Sequence, residues 1–374
     1  MKVILTTSEL HDPCSSVSTR IFGVPLIVRV IREYNRAGFT PIIVSPCDDI
    51  KYTLERHNVS AHVGRWPHVA DTDVLIARAD VLIDAGALSN IAQSRGNTAY
   101  LVGEEVVALK LTGALVGELG EHSLHTAPSS LYRLIAEKRS VEPSTVTLFE
   151  KDAAIFGDGR SLERWLLRKA QKGVHFTSKL NAPVENLIVR LVGKFPWVTP
   201  NRVTLLVNVL AILPLIYFYY GHILIGSLLA YFIGILDGVD GKLARVRGVS
   251  TKLGLLEHSL DTLYELAWYA SFTLGYYRLT WDTTALVLGF MLLTINSYLK
   301  HVYLQFELAT GKPLKTLFRT FSRIDGRRNV YILYFIISSI LGVPVLGILL
   351  SLVHATVTAI VYTVQSTRHL RLLD

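Results

Sequence analysis

The 374-residue sequence predicts an N-terminal α/β domain followed by an all-α integral membrane domain of six transmembrane helices. Three observations carry this. In residues 1–157 short apolar runs alternate with amphipathic stretches, the pattern of strands and helices in turn. From about residue 203 onward the apolar runs approach the ~20 residues a helix needs to cross a bilayer. Half of all residues are hydrophobic and the mean hydropathy is +0.37, too apolar for a disordered or fibrous chain.

Charge narrows the class further. Charged residues make up 18% of the chain yet sum to +8. A soluble nucleic-acid binder would spread charge over a larger share of its residues, so no nucleic-acid partner is expected. A small basic excess on an apolar chain fits a membrane protein with its cations on one side. The two cysteines, Cys14 and Cys47, are too few for a disulfide framework or a four-cysteine zinc site and are read as small buried hydrophobes. The opening MKVILTTSE lacks the long apolar region and cleavage site of a signal peptide.

The first domain, residues 1–157, begins with a strand at Val3-Ile4-Leu5. Residues 25–37 carry apolar side chains at helical spacing and stop at Gly38. Strands are expected at 41–44, 73–76 and 80–83, and a hairpin over 98–111 turning at Gly103-Glu104. Residues 158–198 form a linker. It opens with a helix over 161–172 capped by Ser161, then a helix lying in the membrane interface. That second helix has Leu187, Ile188, Leu191 and Val192 on its apolar side, cations at Lys179, Arg190 and Lys194, and Trp197 as an anchor. Residues 199–374 hold six candidate spans, roughly 203–220, 221–243, 254–277, 283–304, 329–342 and 344–365. The connections after the second and fourth spans carry most of the cations, among them Lys242, Arg245, Arg247, Lys315, Arg319 and Arg323. This asymmetry places the N-terminal domain and the C-terminus in the cytoplasm of a multi-pass cell-membrane protein.

The informative stretch is LDGVDGKLARVRGVSTKLGLLEHSLDTLYE, residues 236–265. Intramembrane acids are expensive and face a polar cavity or a cation. Asp237, Asp240, Gly241, Ala244 and Arg245 share one helical face, and Glu257 and Asp261 are i, i+4 on the next helix. Carboxylates brought together from two helices repel unless cations neutralise them. Hard oxygen ligands of this kind suit Mg²⁺, Mn²⁺ or Ca²⁺. Glu265 is ambiguous between this cluster and a structural role. The plainer reading has these acids at helix ends, reaching water or the loop arginines.

Asp237-Gly-Val-Asp240-Gly241-Lys-Leu-Ala244-Arg245, with Gly254 following after eight intervening residues, resembles the D-x2-D-G-x2-A-R-x8-G-x3-D-x3-D pattern of the CDP-alcohol phosphotransferases. Ungapped, the later aspartates fall on His258 and Thr262. Removing one residue after Gly254 restores Glu257 and Asp261, and EHSLD then resembles the DHGCD of some eukaryotic members. The resemblance implies a six-helix membrane fold and transfer of a phospho-alcohol group from a CDP-alcohol donor to a small hydroxyl acceptor, phosphorylated or not, with release of CMP. It implies Mg²⁺ or Mn²⁺ held by Asp237, Asp240, Glu257 and Asp261, and Asp261 or His258 as the base for the acceptor hydroxyl. Gly241, Ala244 and Gly254 would make room for the nucleotide, and Arg245 would neutralise phosphate. The run RTFSRIDGRR, with Arg319, Arg323, Arg327 and Arg328, resembles a family segment suited to an acceptor phosphate; its alternative is a basic loop on lipid headgroups. Family members are commonly homodimers. The irregular spacing at Glu257 keeps open a chain that binds CDP-alcohol or CMP without turnover.

The first domain resembles the cytidylyltransferase domains fused to archaeal members. Its loop after the first strand, TTSELHDPCSSVSTR, has no glycine, and no lysine lies between Lys2 and Lys51. Both are needed to cradle a triphosphate. It is therefore read as a degenerate nucleotidyltransferase-like domain, with Asp80 and Asp84 as remnants of a metal site or, more simply, surface acids.

Overall fold

The computed structural model describes residues 1–7, 10, 12–67, 69, 72–119, 124–138, 143–149, 152–156, 159–171, 173, 175–249 and 253–372, without the side chains of 138, 159 and 253–258. The chain forms two compact units, Met1–Lys169 and Ala170–Asp374.

In the first unit the elements run β1 (Lys2–Thr6), α1 (Pro13–Ser18), β2 (Arg20–Ile21), β3 (Val24–Pro25), α2 (Leu26–Arg36), β4 (Ile42–Val44), α3 (Asp49–Arg56), β5 (His62–Val63), β6 (Val74–Arg78) and β7 (Val81–Ile83). They continue with α4 (Ala85–Gln93), β8 (Thr98–Val102), β9 (Glu105–Leu111), α5 (Gly113–Leu119), α6 (Pro128–Lys138), β10 (Ser144–Thr147), β11 (Ala153–Ile155) and α7 (Gly159–Ala170). Seven strands form one sheet in the order β10-β8-β9-β6-β1-β4-β5. β1 is central, parallel to β4 on one side and to β6 on the other, so Val3, Ile4 and Leu5 are all buried. The expected hairpin is β8–β9, closed at Val102↔Glu105 around Gly103 at φ 63°. Helix α2 ends as expected. Gly38 takes φ 85°, its N–H reaches Asn35 O, and Phe39 N–H reaches Tyr34 O, two bonds that satisfy the last carbonyls. Helix α7 starts two residues before Ser161, which lies inside its first turn and does not cap it.

The cysteines are corrected by the fold: Cys14 and Cys47 form a disulfide across 33 residues. β1 and β4 are parallel neighbours, so α1, which follows β1, and the segment leaving β4 emerge at the same sheet end. No sequence spacing reveals that adjacency. Asp80 is likewise no surface acid. It is 4% exposed and takes two hydrogen bonds from Arg78, at 3.0 and 2.8 Å, while Arg78 reaches Glu105 at 2.6 Å. Asp84 caps α4 through Gly86 N–H at 2.8 Å and pairs with Lys169. Burial alone would raise its carboxyl, but the bonds from Lys169 and Gly86 bring it below the ordinary value. Both acids are thus neutralised by the chain's own cations.

The second unit is helical: α8 (Phe176–Val192), α9 (Pro200–Leu210), α10 (Ile212–Tyr219), α11 (Ile223–Arg247), α12 (Leu253–Thr280), α13 (Thr283–Thr310), α14 (Leu314–Leu317), α15 (Arg328–Ile340) and α16 (Pro344–Leu370). Among the described residues four segments are long and apolar enough to span a bilayer: Pro200–Tyr219, Ile223–Arg247, Thr283–Thr310 and Pro344–Leu370. Helix α15 is apolar but has 13 residues, and α12 has 28 with acids along it. Thr199 caps α9 by accepting from Arg202 N–H, with Pro200 in its first turn. Gly248, at φ 64°, stops α11 directly after the acidic run. Because α11 extends to Arg247, Lys242, Arg245 and Arg247 lie on the helix, not in the connection after it.

This unit has an apolar core that includes Phe218, Trp268, Phe272 and Phe335, and it buries polar side chains beside that core while leaving many apolar ones outside. Thr204, Ser227, Asn296, Ser351 and Thr358 are buried, while Leu205, Leu206, Phe290, Val353 and Ile360 are exposed. Helix α8 also turns polar side chains inward, Thr177, Asn181 and Glu185 beside Val189, with Phe176, Leu180, Leu187 and Leu191 outward. Helices meet closely where side chains are missing: a Cβ on Gly275 would lie 1.7 Å from Phe218 O.

Candidate active site

The acidic run occupies the last turns of α11. Asp240 is 2% exposed; its Oδ2 accepts from Thr204 Oγ1 of α9 at 2.5 Å, and its Oδ1 accepts from the Gly241 N–H. Asp237, one turn earlier, is served from another direction. Its Oδ2 accepts from Arg328 Nη2 at 2.5 Å, and Tyr264 OH lies 3.4 Å from its Oδ1. Arg328 also donates to Tyr264 OH, and its guanidinium lies 5.2 Å from the centroid of that ring. Tyr264 is hydrogen-bonded with Asp261, one turn before it on α12. Asp237 is within electrostatic reach of both Asp240 and Asp261. The structure therefore brings together Asp237, Asp240, Asp261 and Arg328 of the sequence-predicted residues. Tyr264 was not among them, although its place three residues after Asp261 puts it on the same helical face.

The side chains of Glu257 and His258, and the burial of Gly254, lie outside what the structure describes. Among the described residues no three His, Cys, Asp or Glu side chains, Asp237, Asp240 and Asp261 included, are grouped so as to hold a metal ion. The donor chemistry of Asp237, Asp240 and Asp261, carboxylates from two helices, is that of ligands to a hard divalent cation, and Asp237 is within electrostatic reach of the other two.

Arg245 donates from Nε to Ala170 O at 2.7 Å and has Glu185 and Asp240 as its anionic neighbours. The space beside Gly241 is what admits it: a Cβ there would lie 3.1 Å from Arg245 Nη1. Ala244 is half-buried on the same helix. Glu185 of α8 also takes Lys242 Nζ at 2.7 Å, and Lys242 reaches Asn186 Oδ1 at 2.9 Å. The sequence reads Lys242 only as a loop cation and gives no signal for Glu185, since their encounter depends on α8 lying along α11.

The remaining arginines separate. Arg327 donates to Asp325 Oδ1 from Nε at 2.7 Å, and Tyr362 OH donates to Asp325 Oδ2 at 2.9 Å. His175 joins this group from the start of α8, donating from Nε2 to Asp325 O at 3.1 Å. Arg319 and Arg323 are exposed. Lys315 lies over the Tyr303 ring at 4.5 Å, and burial, with the charge of Arg327 adding to it, pushes its ammonium down to about 8. Glu265 is a fully satisfied buried acid, accepting from Tyr269 OH at 2.9 Å, Asn296 Nδ2 at 3.2 Å and Lys300 Nζ at 2.8 Å.

Residues 197–324 match the family described as CDP-alcohol phosphatidyltransferase. A bifunctional IPC transferase and DIPP synthase of Aquifex aeolicus is 26% identical over 236 residues, 60% of this chain and 52% of that protein. The chain thus spans about half the length of the curated relative it matches. A crystal structure of Mycobacterium tuberculosis phosphatidylinositol phosphate synthase with CDP-DAG bound is 17% identical, with a TM-score of 0.39, covering 50% of this chain and 94% of that one. Another structure of the same protein, with manganese and citrate, has the same identity and TM-score and covers 50% of this chain and 88% of that one. A UDP-glucose pyrophosphorylase from Acinetobacter baumanii is 14% identical, with a TM-score of 0.30, covering 45% of this chain and 93% of that one.

Proposed function

We propose that this protein, whose residues 197–324 match the family described as CDP-alcohol phosphatidyltransferase, is an integral-membrane transferase moving a phospho-alcohol group from a CDP-alcohol to an acceptor hydroxyl, with release of CMP. The observation that carries the reading is the Asp237-x-x-Asp240-Gly-x-x-Ala-Arg245 run on α11, with Asp261 of α12 within electrostatic reach. The membrane domain, 199–374, crosses the bilayer six times, with α12 and α15 as the spans additional to the four long apolar segments. Interface aromatics support this orientation: Tyr219, Tyr220 and Trp281 are exposed at one set of turns, where Arg278 lies over the Tyr219 ring at 4.4 Å. The cation-rich ends of α11 and α13 then face the cytoplasm, as do the first domain, 1–157, and the C-terminus, with 158–198 as the connecting segment and interfacial helix. The first domain is a degenerate nucleotidyltransferase-like unit.

Asp237, Asp240, Glu257 and Asp261 would hold Mg²⁺ or Mn²⁺, which supplies neutralisation of the diphosphate charge and polarisation of the reacting phosphorus. Arg245 neutralises a phosphate oxygen on the face left open by Gly241, Ala244 and Gly254. Asp261, or His258 beside Glu257, takes the proton of the acceptor hydroxyl as its oxygen bonds to phosphorus. The bond from phosphorus to the bridging oxygen breaks, and CMP leaves with that electron pair. Arg319, Arg323, Arg327 and Arg328 supply cations for a phosphorylated acceptor.

The test is CMP release by purified protein from a panel of lipid and soluble CDP-alcohols, with and without Mg²⁺ or Mn²⁺, scored also by product mass. Metal-dependent release that Asp240→Asn abolishes supports the transferase; full activity in that variant removes the assignment. The displaced spacing at Glu257 and His258 favours one other reading, a protein that binds CDP-alcohol or CMP without turnover, and retained binding with no CMP release would identify it.

A further inference from the structure

The acids around the end of α11 are not neutralised alike. Asp240 accepts from the Thr204 hydroxyl and the Gly241 N–H and has Arg245 as a charged neighbour. Glu265 has its own cation, Lys300, at 2.8 Å. Asp237 has the Arg328 guanidinium, at 2.5 Å, on one of its two oxygens. Arg328 is the first residue of α15, and it is seated there from two sides: Nη1 donates to Tyr264 OH while the guanidinium lies against the same ring. Its other anionic neighbours are Asp261 and Glu265. The Arg328 guanidinium thus pairs with Asp237, which Asp240 and Asp261 repel.

We propose that Arg328 is the built-in counter-cation of Asp237 and competes directly with a divalent cation for that carboxylate, so that cation binding displaces the guanidinium from Asp237. The proposal rests on the metal-binding reading of Asp237 given above. Two positive charges on one carboxylate at short range repel each other, whereas Asp237 with no cation is repelled by Asp240 and Asp261. Arg328 therefore holds the acids in place while no metal is bound, at the expense of metal affinity. It acts here as a positioning residue; its contact is with the carboxylate, and the reacting atoms need not touch it.

The experiment is titration of the full-length protein in detergent micelles with Mn²⁺ alone, read by the electron paramagnetic resonance of free Mn²⁺. Arg328→Gln removes the competing charge and is expected to bind Mn²⁺ about tenfold more tightly than the parent, the equivalent of about 1.4 kcal/mol. Arg328→Lys, which keeps a cation there, is expected to bind within about twofold of the parent. Lys300→Gln removes a nearby cation that serves Glu265 and leaves Asp237 untouched, so its effect should be smaller than that of Arg328→Gln. Tyr264→Phe loosens the seat of Arg328 and should shift affinity in the same direction by a lesser amount; this variant decides the matter if Arg328→Gln does not fold. Unchanged or weaker Mn²⁺ binding in Arg328→Gln overturns the proposal while leaving the transferase reading intact. So does an equal gain in Lys300→Gln, which would make the effect a general field. Absence of any Mn²⁺ binding that Asp240→Asn removes overturns both.

Discussion

Lys242 Nζ lies 2.7 Å from Glu185 Oε2, with the lysine side chain 1% and the glutamate 9% exposed. The pair fastens α8 to the helix that carries Asp237, Asp240 and Arg245, at a point where the absent side chain of Gly238 makes room: a Cβ there would meet Glu185 Oε1 at 2.7 Å. Breaking a buried pair leaves one charge uncompensated, so Glu185→Ala should destabilise by about 3–5 kcal/mol. The double variant Glu185→Leu with Lys242→Met should recover most of that loss. Thermal unfolding of both in one detergent is the check, and a double variant no better than the single would show that the pair is not the origin of the effect.

The Thr204 hydroxyl is the side-chain donor to Asp240 from α9. Thr204→Val keeps the shape and removes the donor to a buried carboxylate, with an expected loss of about 1–2 kcal/mol. Thr204→Ser should stay near the parent. Equal melting temperatures for the parent and both variants would leave Asp240 without need of this bond.

The Cys14–Cys47 bridge closes a segment of 33 residues in the first unit. In the chain-entropy account such a loop contributes about 3–4 kcal/mol by restricting the unfolded chain. Reduction, or Cys14→Ser with Cys47→Ser, should lower the unfolding midpoint of the first unit and leave the membrane unit unchanged. Mass analysis after alkylation under non-reducing conditions tests the bridge itself: two alkylated thiols would refute it.

His175 is buried at the start of α8. Its Nδ1 accepts from Thr177 N–H at 3.1 Å and its Nε2 donates to Asp325 O at 3.1 Å, so the neutral ring satisfies both neighbours. Burial, with the charge of Arg327 adding to it, holds the imidazole down to about 4 against an ordinary 6.5. The unfolded chain therefore binds a proton more readily than the folded one between these values. Stability from this site is complete above about pH 6.5 and is lost as pH falls through that window toward 4. His175→Gln should flatten this part of the stability–pH curve, measured by thermal unfolding from pH 7 to pH 4; an unchanged slope would assign the acid sensitivity elsewhere.

The sequence made several features of this protein legible because their causes are local. Strand β1, helix α2 with its Gly38 stop and the hairpin at Gly103 follow from apolar period and turn chemistry among neighbouring residues. The run from Asp237 to Arg245 announced itself because carboxylates in an apolar helix demand a partner, and that demand is written in residue order. What waited for the folded chain were the partners themselves. That Asp237 receives Arg328 from 91 residues away, that Glu185 meets Lys242, and that Cys14 finds Cys47 depend on which helices and strands pack side by side. Periodicity states which face of an element turns inward; the element it meets there, and so the charge that answers each acid, is set by packing between segments distant along the chain.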